Sequence, residues 1–362
     1  MNAGARAPHP ALAAWSDLRR SGSARAALVT LARADGGSSR PVGTRLVVSD
    51  EGRTFGSVTI GGCADGRART AAERILQSGG RELLTVPLGE EDAVALGLGC
   101  AGDVDLLIEA VATDVADAAA RAFDAAARAM DDGRRAALLT PIDGRAGKLL
   151  VREDGVTAGT TGSDVRDAAA TALGTALLGA TEARSGVHEA AGERWLVELL
   201  TPTHTVLIVG ATDIAAELCV MAARVGWRTL LIDPRDELLD ESRFASAAER
   251  IAALPAETVA DRVGGPRTAV VVVAHDYKVE IPVLRVALRS DAAYVGVLGS
   301  RKRAAAVRSL LADSGLTSEE LARLRMPIGL AIGAQGAAEI AVSIVAELIA
   351  SFRGRAPLVS TS

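Results

Sequence analysis

The last third of the chain alternates short aliphatic runs with longer segments of helical spacing. The runs are rich in β-branched residues and are bounded by Gly, Pro or Asp, which predicts short buried strands. These strands are predicted at 205–209, 228–232, 268–273 and 294–298. One apolar stripe at helical spacing follows the first run. It consists of Ile214, Leu218, Met221 and Val225.

A final helix is predicted over 337–350, where apolar residues again recur every three to four positions. Strands that alternate with helices favour right-handed crossovers and a parallel sheet. We therefore predict an α/β fold whose C-terminal domain, over 204–362, is a Rossmann-like doubly wound parallel sheet, preceded by a linker at 201–203.

The first two hundred residues predict strands, turns and Ala-rich helices in mixed order, and they contain an internal repeat. The matching segments are 25–30 with 135–140 and 46–52 with 149–155. Gly52 and Gly155 each end the second segment and predict hairpin turns with positive φ. We predict two related strand-loop-hairpin-helix units, the first over 1–133 and the second, with the linker, over 134–203.

Two segments distinguish the first copy and are the better candidates for function. Its first loop is longer and contains Ser38-Ser39-Arg40, whose hydroxyls and guanidinium suit a phosphate or a pterin-like edge. After its hairpin comes Gly61-Gly62-Cys63, followed by Asp65 and a predicted helix. A cysteine near a helix N-terminus is favoured as a thiolate or beside an anion. The alternatives are a solvated loop and a tight turn around a small buried cysteine.

Composition excludes several classes of function. The chain has 49% apolar residues but only 4 Phe, 3 Trp and 2 Tyr, which argues against disorder and against an aromatic platform for single-stranded nucleic acid. Its net charge of −5 does not favour nucleic acid or anionic lipid. No apolar run approaches the roughly 20 residues of a membrane helix. We expect a cytoplasmic protein without nucleic-acid or membrane partners.

The turn after the first C-terminal strand lies where dinucleotide-binding folds have their glycine-rich motif. Gly210 and Ala211 open it, Thr212 stands where the second glycine is expected, and Asp233 provides the acidic residue about 20 positions further on. The fold is therefore well supported while the nucleotide site is altered. A Rossmann-like domain without nucleotide binding is the alternative.

Two further strand ends are predicted at the same carboxyl edge of the sheet. One carries His275-Asp276, a candidate acid/base pair or a structural pair, and the other carries Gly299-Ser300-Arg301. Arg301 is followed by Lys302 and Arg303, and three cations at a helix start oppose the helix dipole, which a bound phosphate would explain. The alternative is that these side chains extend into solvent or pair with a partner protein. Of the other cysteines, Cys219 is predicted in the core and Cys100 has no assigned role.

Together these segments resemble the XdhC/CoxI family over nearly the whole chain. The resemblance is carried by TIGGCAD (59–65), GSSRPVG (37–43), GLGCAG (97–102), IDPR (232–235), AHD (274–276), VLGSRKR (297–303) and MPIGLAIGA (326–334). It implies a maturation factor that binds the molybdenum cofactor, as molybdopterin or its cytosine dinucleotide form. It also implies delivery of that cofactor, with its terminal sulfur, to an apo molybdenum hydroxylase such as xanthine dehydrogenase or carbon monoxide dehydrogenase.

The resemblance implies Cys63 and its glycines as the contact to the cofactor and its metal, with a nucleotide or the cofactor's phosphate end in the C-terminal domain. It also implies cofactor-biosynthesis or sulfurase proteins as partners and a homodimer. The chain departs from the family pattern at Thr212-Asp213, at Ala331 and at Asp65, where Gly-His, an acidic residue and Glu are usual. The rival hypotheses are an NAD(P)-dependent oxidoreductase and a scaffold that only recruits partners.

Overall fold

The fold comes from a computed structural model, which describes residues 12–35, 40–59, 62, 64–88, 102–114, 116–143, 147–180 and 182–354. The chain divides into two compact units. The N-terminal unit ends at Pro202 and the C-terminal unit begins at Thr203.

The N-terminal unit contains two antiparallel five-stranded sheets with the same strand order, β3-β2-β1-β5-β4 and β8-β7-β6-β10-β9. Its elements are α1 (Ala13–Ser21), β1 (Arg25–Ala34), β2 (Arg45–Ser49), β3 (Thr54–Gly56), α2 (Asp65–Ser78), β4 (Arg81–Leu88), β5 (Gly102–Ala112), α3 (Ala118–Asp131), β6 (Ala136–Pro141), β7 (Lys148–Arg152), β8 (Thr157–Thr160), α4 (Asp164–Gly179), β9 (Gly186–Ala190) and β10 (Glu193–Leu200). The repeat predicted from the sequence is confirmed, and Gly52 and Gly155 adopt φ of 78° and 83° in the two hairpins.

Helices cover both faces of each sheet, which explains why the central strands are continuous apolar runs. Trp15 of α1 stacks on Phe123 of α3 with ring centroids 4.8 Å apart, and both rings pack in one core with residues of the two sheets. The opposite face of the first sheet packs against α2, and that of the second against α4. A strand buried on both faces loses the alternation of polar and apolar residues.

Buried ion pairs join the two copies across this core. Arg45 of β2 pairs with Glu198 of β10, and Lys148 of β7 pairs with Glu109 of β5 at 2.8 Å, with all four side chains at most 3% exposed. Arg45 and Lys148 occupy matching positions of the repeat, and the two glutamates lie opposite matching residues of the central strands. Each copy therefore gives one cation to a carboxylate of the other.

The C-terminal unit is a parallel six-stranded sheet of order β13-β12-β11-β14-β15-β16 with helices on both faces. Its elements are β11 (Thr205–Val209), α5 (Asp213–Arg224), β12 (Arg228–Asp233), β13 (Glu249–Ala252), α6 (Pro255–Arg262), β14 (Thr268–Val272), α7 (Tyr277–Arg289), β15 (Tyr294–Val297), α8 (Arg301–Asp313), α9 (Ser318–Ala322), β16 (Leu324–Arg325) and α10 (Gly336–Phe352). The predicted doubly wound sheet is confirmed, and β13 and β16 extend it at both edges. Within the described ranges, no helix is long and apolar enough to cross a membrane.

Candidate functional site

A cavity of about 590 Å³ lies at the carboxyl edge of the C-terminal sheet, where β11, β12 and β14 end. It brings together six of the residues predicted from the sequence. These are Gly210, Ala211, Thr212, Asp233, His275 and Asp276. Parallel strands present their carboxyl ends at one edge, so strand ends that are far apart in the sequence meet there.

Gly210 shapes the turn that borders this cavity. Its φ is 106°, and a Cβ at this position would lie 2.8 Å from the backbone nitrogen of Ala274. Both the conformation and the close approach of the neighbouring strand require glycine. The turn therefore has the tight geometry expected of a dinucleotide fold.

The carboxylate of Asp233 is already hydrogen-bonded to other residues of the protein. Its carboxylate is 2% exposed, accepts hydrogen bonds at 2.9 Å from Nε and Nη2 of Arg235, and also accepts one from the N–H of Ala211. Burial by itself would raise the pKa of Asp233, but these hydrogen bonds outweigh it and hold the pKa below its ordinary value of 3.8. A ribose hydroxyl would have to compete with Arg235 for this carboxylate. Arg235 was missed as a site residue, although its position two residues after Asp233 was a usable signal.

Three of the predicted ligand residues act as helix caps. Thr212, Asp276 and Ser300 are the N-caps of α5, α7 and α8, and each side-chain oxygen accepts a backbone hydrogen bond. The donors are the N–H groups of Ala215, Lys278 and Arg303. A phosphate at a helix N-terminus would use these same groups. The N-terminus of α5 is therefore already partly satisfied by Thr212.

Gly299 and Arg301 line a second cavity, of about 630 Å³, which does not share lining residues with the first. Arg303, from the same cationic run, instead pairs with the buried Glu280 at 2.6 Å and lies over the ring of Tyr277. The predicted C-terminal residues therefore separate into two cavities and one structural ion pair.

Several candidates in the first copy lie outside the described residues. These are Ser38, Ser39, Gly61 and Cys63, and Cys100 is outside them as well. Of the others, Arg40 is exposed and Gly62 has a φ of 72°. Among the described residues, no three His, Cys, Asp or Glu side chains are grouped so that they could hold a metal ion.

Asp65 stabilises the turn that precedes α2 through hydrogen bonds. Its Oδ1 accepts hydrogen bonds from the N–H of Val58 at 3.2 Å and from the hydroxyl of Thr59 at 3.3 Å. Asp167 has the same role in the second copy, where it accepts from the N–H and hydroxyl of Thr161. The aspartate therefore supports this turn in both copies.

The start of α2 differs from the capped helices of the C-terminal unit. Its N-cap is Ala64, which has no side-chain acceptor. Within the described residues, the N-cap position therefore provides no side-chain cap for the first turn of α2, and Cys63 precedes Ala64 in the sequence. Cys219, in contrast, is fully buried, and burial raises the pKa of its thiol to about 11, as expected for a core residue.

Comparison with known proteins gives matches along most of the chain. Residues 206–348 match the family described as the XdhC Rossmann domain, and residues 19–87 match the XdhC and CoxI family. A Bacillus subtilis protein whose name describes a probable subunit of xanthine dehydrogenase is 24% identical over 329 residues, which cover 90% of this chain and 92% of the relative. The Escherichia coli molybdenum cofactor insertion chaperone PaoD is 25% identical over 332 residues, 91% of this chain and 83% of the relative.

The fold also matches a crystal structure from Bacillus halodurans that is described as a xanthine dehydrogenase. The TM-score is 0.75 at 23% sequence identity, and the match covers 96% of both chains. This likeness shows that the two proteins share their fold over nearly their whole length.

Proposed function

Because the chain belongs to the XdhC and CoxI family, we propose that it binds the molybdenum cofactor and assists its insertion into an apo molybdenum hydroxylase. The relative named a molybdenum cofactor insertion chaperone supports this role. The clients would be enzymes of the xanthine dehydrogenase or carbon monoxide dehydrogenase type. The cofactor would be molybdopterin or its cytosine dinucleotide form, delivered with its terminal sulfur.

The proposed contact to the metal is Cys63. The observation that supports it most directly is the N-terminus of α2, which follows Cys63 in the sequence and has Ala64 in place of a capping side chain. Uncapped N–H groups and the helix dipole stabilise a thiolate or a phosphate. A thiolate is a suitable ligand for a soft metal centre. Ser38, Ser39 and Arg40 are proposed as further contacts to the cofactor.

The test is the molybdenum content of the purified protein after expression in a host that makes the cofactor. Cys63→Ala should lose most of the bound molybdenum and pterin, whereas the matched control Cys219→Ala, which removes a buried thiol in the other unit, should retain them. Equal cofactor content in Cys63→Ala and wild type would reject the role of Cys63. Circular dichroism would establish that both variants are folded.

The proposed partners are the apo hydroxylase, cofactor-biosynthesis or sulfurase proteins, and a second copy of this chain, all in the cytoplasm. A pull-down with apo hydroxylase distinguishes the chaperone from a mere scaffold. The chaperone should bind more tightly when loaded with cofactor and should activate the hydroxylase, whereas a scaffold would bind equally well without cofactor. Sedimentation analysis tests the homodimer.

A second candidate function is that of an NAD(P)-dependent oxidoreductase. It is supported by the cavity at Gly210, which lies where dinucleotides bind in this fold. Thr212 and Arg235 argue against NAD, since they occupy the helix N–H group and the carboxylate that NAD would use. Calorimetry with NAD(H) and NADP(H) tests this candidate. Micromolar binding of either would favour it over the chaperone role for this unit.

A further inference from the structure

The solvent side of α10 is apolar over most of its length. Glu339 and Glu347 are the only charged residues of this helix. Glu347 lies on the buried side, where its carboxylate accepts hydrogen bonds from the hydroxyl of Tyr294 and from the N–H of Gly329. From the turn after Glu339 to its last residue, the solvent side of α10 therefore carries no charge.

Exposed apolar side chains occupy this solvent side. Val342 is 48% exposed, Ile349 is 41% exposed, and the partly exposed Ala346 lies between them. Their spacing of four and then three residues places all three in one stripe along the helix. The opposite side of α10 packs against the sheet. A surface helix ordinarily has polar residues on its solvent side, so this stripe is typical of a helix that packs against a further element.

The helices on the other face of the sheet do not share this feature. On α7 three cations are exposed, namely Lys278, Arg285 and Arg289. On α8 the exposed residues include Arg301 and Lys302. The apolar solvent side is thus a property of α10 and does not follow from the Ala-rich composition of the chain.

Opposite charges lie at the two ends of the stripe. Glu339 and Arg353 are both exposed, and each is seven residues from Ala346. With Val342 and Ile349 they continue the alternating spacing of three and four residues that is typical of a seam between two helices. If two copies of α10 pack antiparallel and cross at Ala346, Glu339 of each copy lies opposite Arg353 of the other. The stripe is then complementary to itself in its apolar centre and in its charged ends.

We propose that two copies of this chain pair through the solvent side of α10, with the two helices antiparallel and crossing at Ala346. The proposal rests on the homodimer of the proposed function and adds the surface that forms it. The small side chain of Ala346 allows two helices to approach closely where they cross. The charges of Glu339 and Arg353 favour the antiparallel order, because a parallel pair would place like charges opposite each other.

The size of this surface indicates how tightly the two copies bind. A helix of 17 residues covers roughly 250 Å² of a neighbouring surface. The shorter α5, which packs beside α10 and exposes Val220, adds somewhat less. Two copies would bury roughly 900 Å² in total, which is at the low end for a specific interface. We therefore expect micromolar affinity and not an obligate dimer.

Sedimentation of the full chain over a concentration series tests the surface. Wild type should form a dimer at micromolar concentration. Val342→Glu places a carboxylate from each copy in the apolar centre and should raise the dissociation constant about a hundredfold or more. The matched control Val165→Glu changes an exposed valine on a helix of the N-terminal unit and should leave the dimer intact.

The possible results distinguish this surface from the proposed function. A wild-type protein that stays monomeric throughout the series would overturn both the homodimer and the surface. A Val342→Glu protein that dimerises as wild type does would overturn the surface alone. The cofactor role is tested separately by the molybdenum content of Cys63→Ala, so it holds or fails independently of both.

Reversal of the charged ends tests the antiparallel order. Arg353→Glu should weaken the dimer about tenfold, because two pairs of opposite charges become pairs of like charges. Adding Glu339→Arg to the same chain should restore most of the affinity. Arg285→Glu makes the same charge change on the other face of the sheet and should have no effect. A double variant that dimerises no better than Arg353→Glu would refute the antiparallel order.

Cross-linking locates the crossing point. In Ala346→Cys the two introduced thiols lie at the axis between the copies, and mild oxidation should give a 346–346 disulfide that peptide mass spectrometry identifies. The control Ala338→Cys is exposed on the same helix but eight residues from the crossing point. Its two copies would be about 24 Å apart and should not cross-link. No link at 346, or an equal link at 338, would overturn the crossing at Ala346.

Discussion

Replacing Glu109 with Gln should destabilise the N-terminal unit markedly. Glu109 lies in β5, is 3% exposed, and pairs with Lys148 of the other copy at 2.8 Å and with Arg81 of β4. Burial by itself would raise the pKa of Glu109, but the charges of Lys148 and Arg81 and their hydrogen bonds outweigh it and lower the pKa from 4.5 to about 2. The substitution removes the carboxylate and leaves both cations buried.

The fall in pKa corresponds to about 3 kcal/mol of stability at pH 7. Burial also lowers the pKa of Lys148, and this offsets part of the gain in stability. The pair therefore stabilises the folded state by at most about 3 kcal/mol. Removing one partner of a buried pair costs about 3–5 kcal/mol in other proteins. We expect Glu109→Gln to lower the free energy of unfolding by roughly 3 kcal/mol.

The same carboxylate predicts a pH dependence with a definite sign. Because its pKa is lower in the folded than in the unfolded chain, its contribution is complete above about pH 4.5 and is lost as the pH falls toward 2. Wild type should therefore lose this contribution over that interval. Glu109→Gln should lack this part of the acid destabilisation.

Urea unfolding followed by tryptophan fluorescence measures both effects. Trp15 and Trp195 are buried in the N-terminal unit, and a Trp227→Phe background removes the tryptophan of the C-terminal unit. The control is Glu51→Gln, a carboxylate that is 56% exposed in a surface pair and should change stability by less than about 0.5 kcal/mol. A Glu109→Gln variant as stable as wild type at pH 7, or one with the same acid dependence, would refute the reasoning.

Further expectations concern the C-terminal unit. Thr212→Ala removes the cap of α5 and should lower the free energy of unfolding by about 1 kcal/mol in denaturant melts, whereas Thr212→Ser keeps the acceptor and should cost less. Gly210→Ala should cost about 2 kcal/mol because of its positive φ and the nearby Ala274, while Gly264→Ala, with open space and an ordinary φ, should be nearly neutral. Cys219 should react with iodoacetamide at pH 8 only after denaturation, because burial raises its pKa to about 11; peptide mass spectrometry that finds it labelled in the native protein would contradict this.

The elements that the sequence predicted best are those with a local periodic signature. The strand at 205–209 and the helix predicted over 337–350 are found at Thr205–Val209 and Gly336–Phe352. Short β-branched runs and apolar residues at helical spacing report directly on which face of an element is buried. The internal repeat was visible for a related reason, since two copies with the same strand order need the same pattern of residues.

The contacts of charged side chains are harder to predict from the sequence. Glu347 interrupts the apolar pattern of the last helix on its buried side, next to Leu348, and a charged residue at a core position is unusual. Nothing near Glu347 in the sequence shows what it contacts, whereas Arg235 stands only two residues after its partner Asp233. Glu347 meets Tyr294 across 53 positions, a contact that only folding creates.

The α/β architecture, the two related units, the carboxyl edge where Gly210, Asp233 and His275 meet, and the resemblance to the XdhC and CoxI family can all be read from the order of residues along the chain. How those residues are used depends on the folded protein. The fold assigned Thr212, Asp276 and Ser300 to helix caps, divided the carboxyl-edge residues between two cavities, and paired each copy's cation with the other's carboxylate. The reason is physical: burial patterns repeat along the chain, whereas the partner of a polar group is chosen by distances between segments that are remote in sequence.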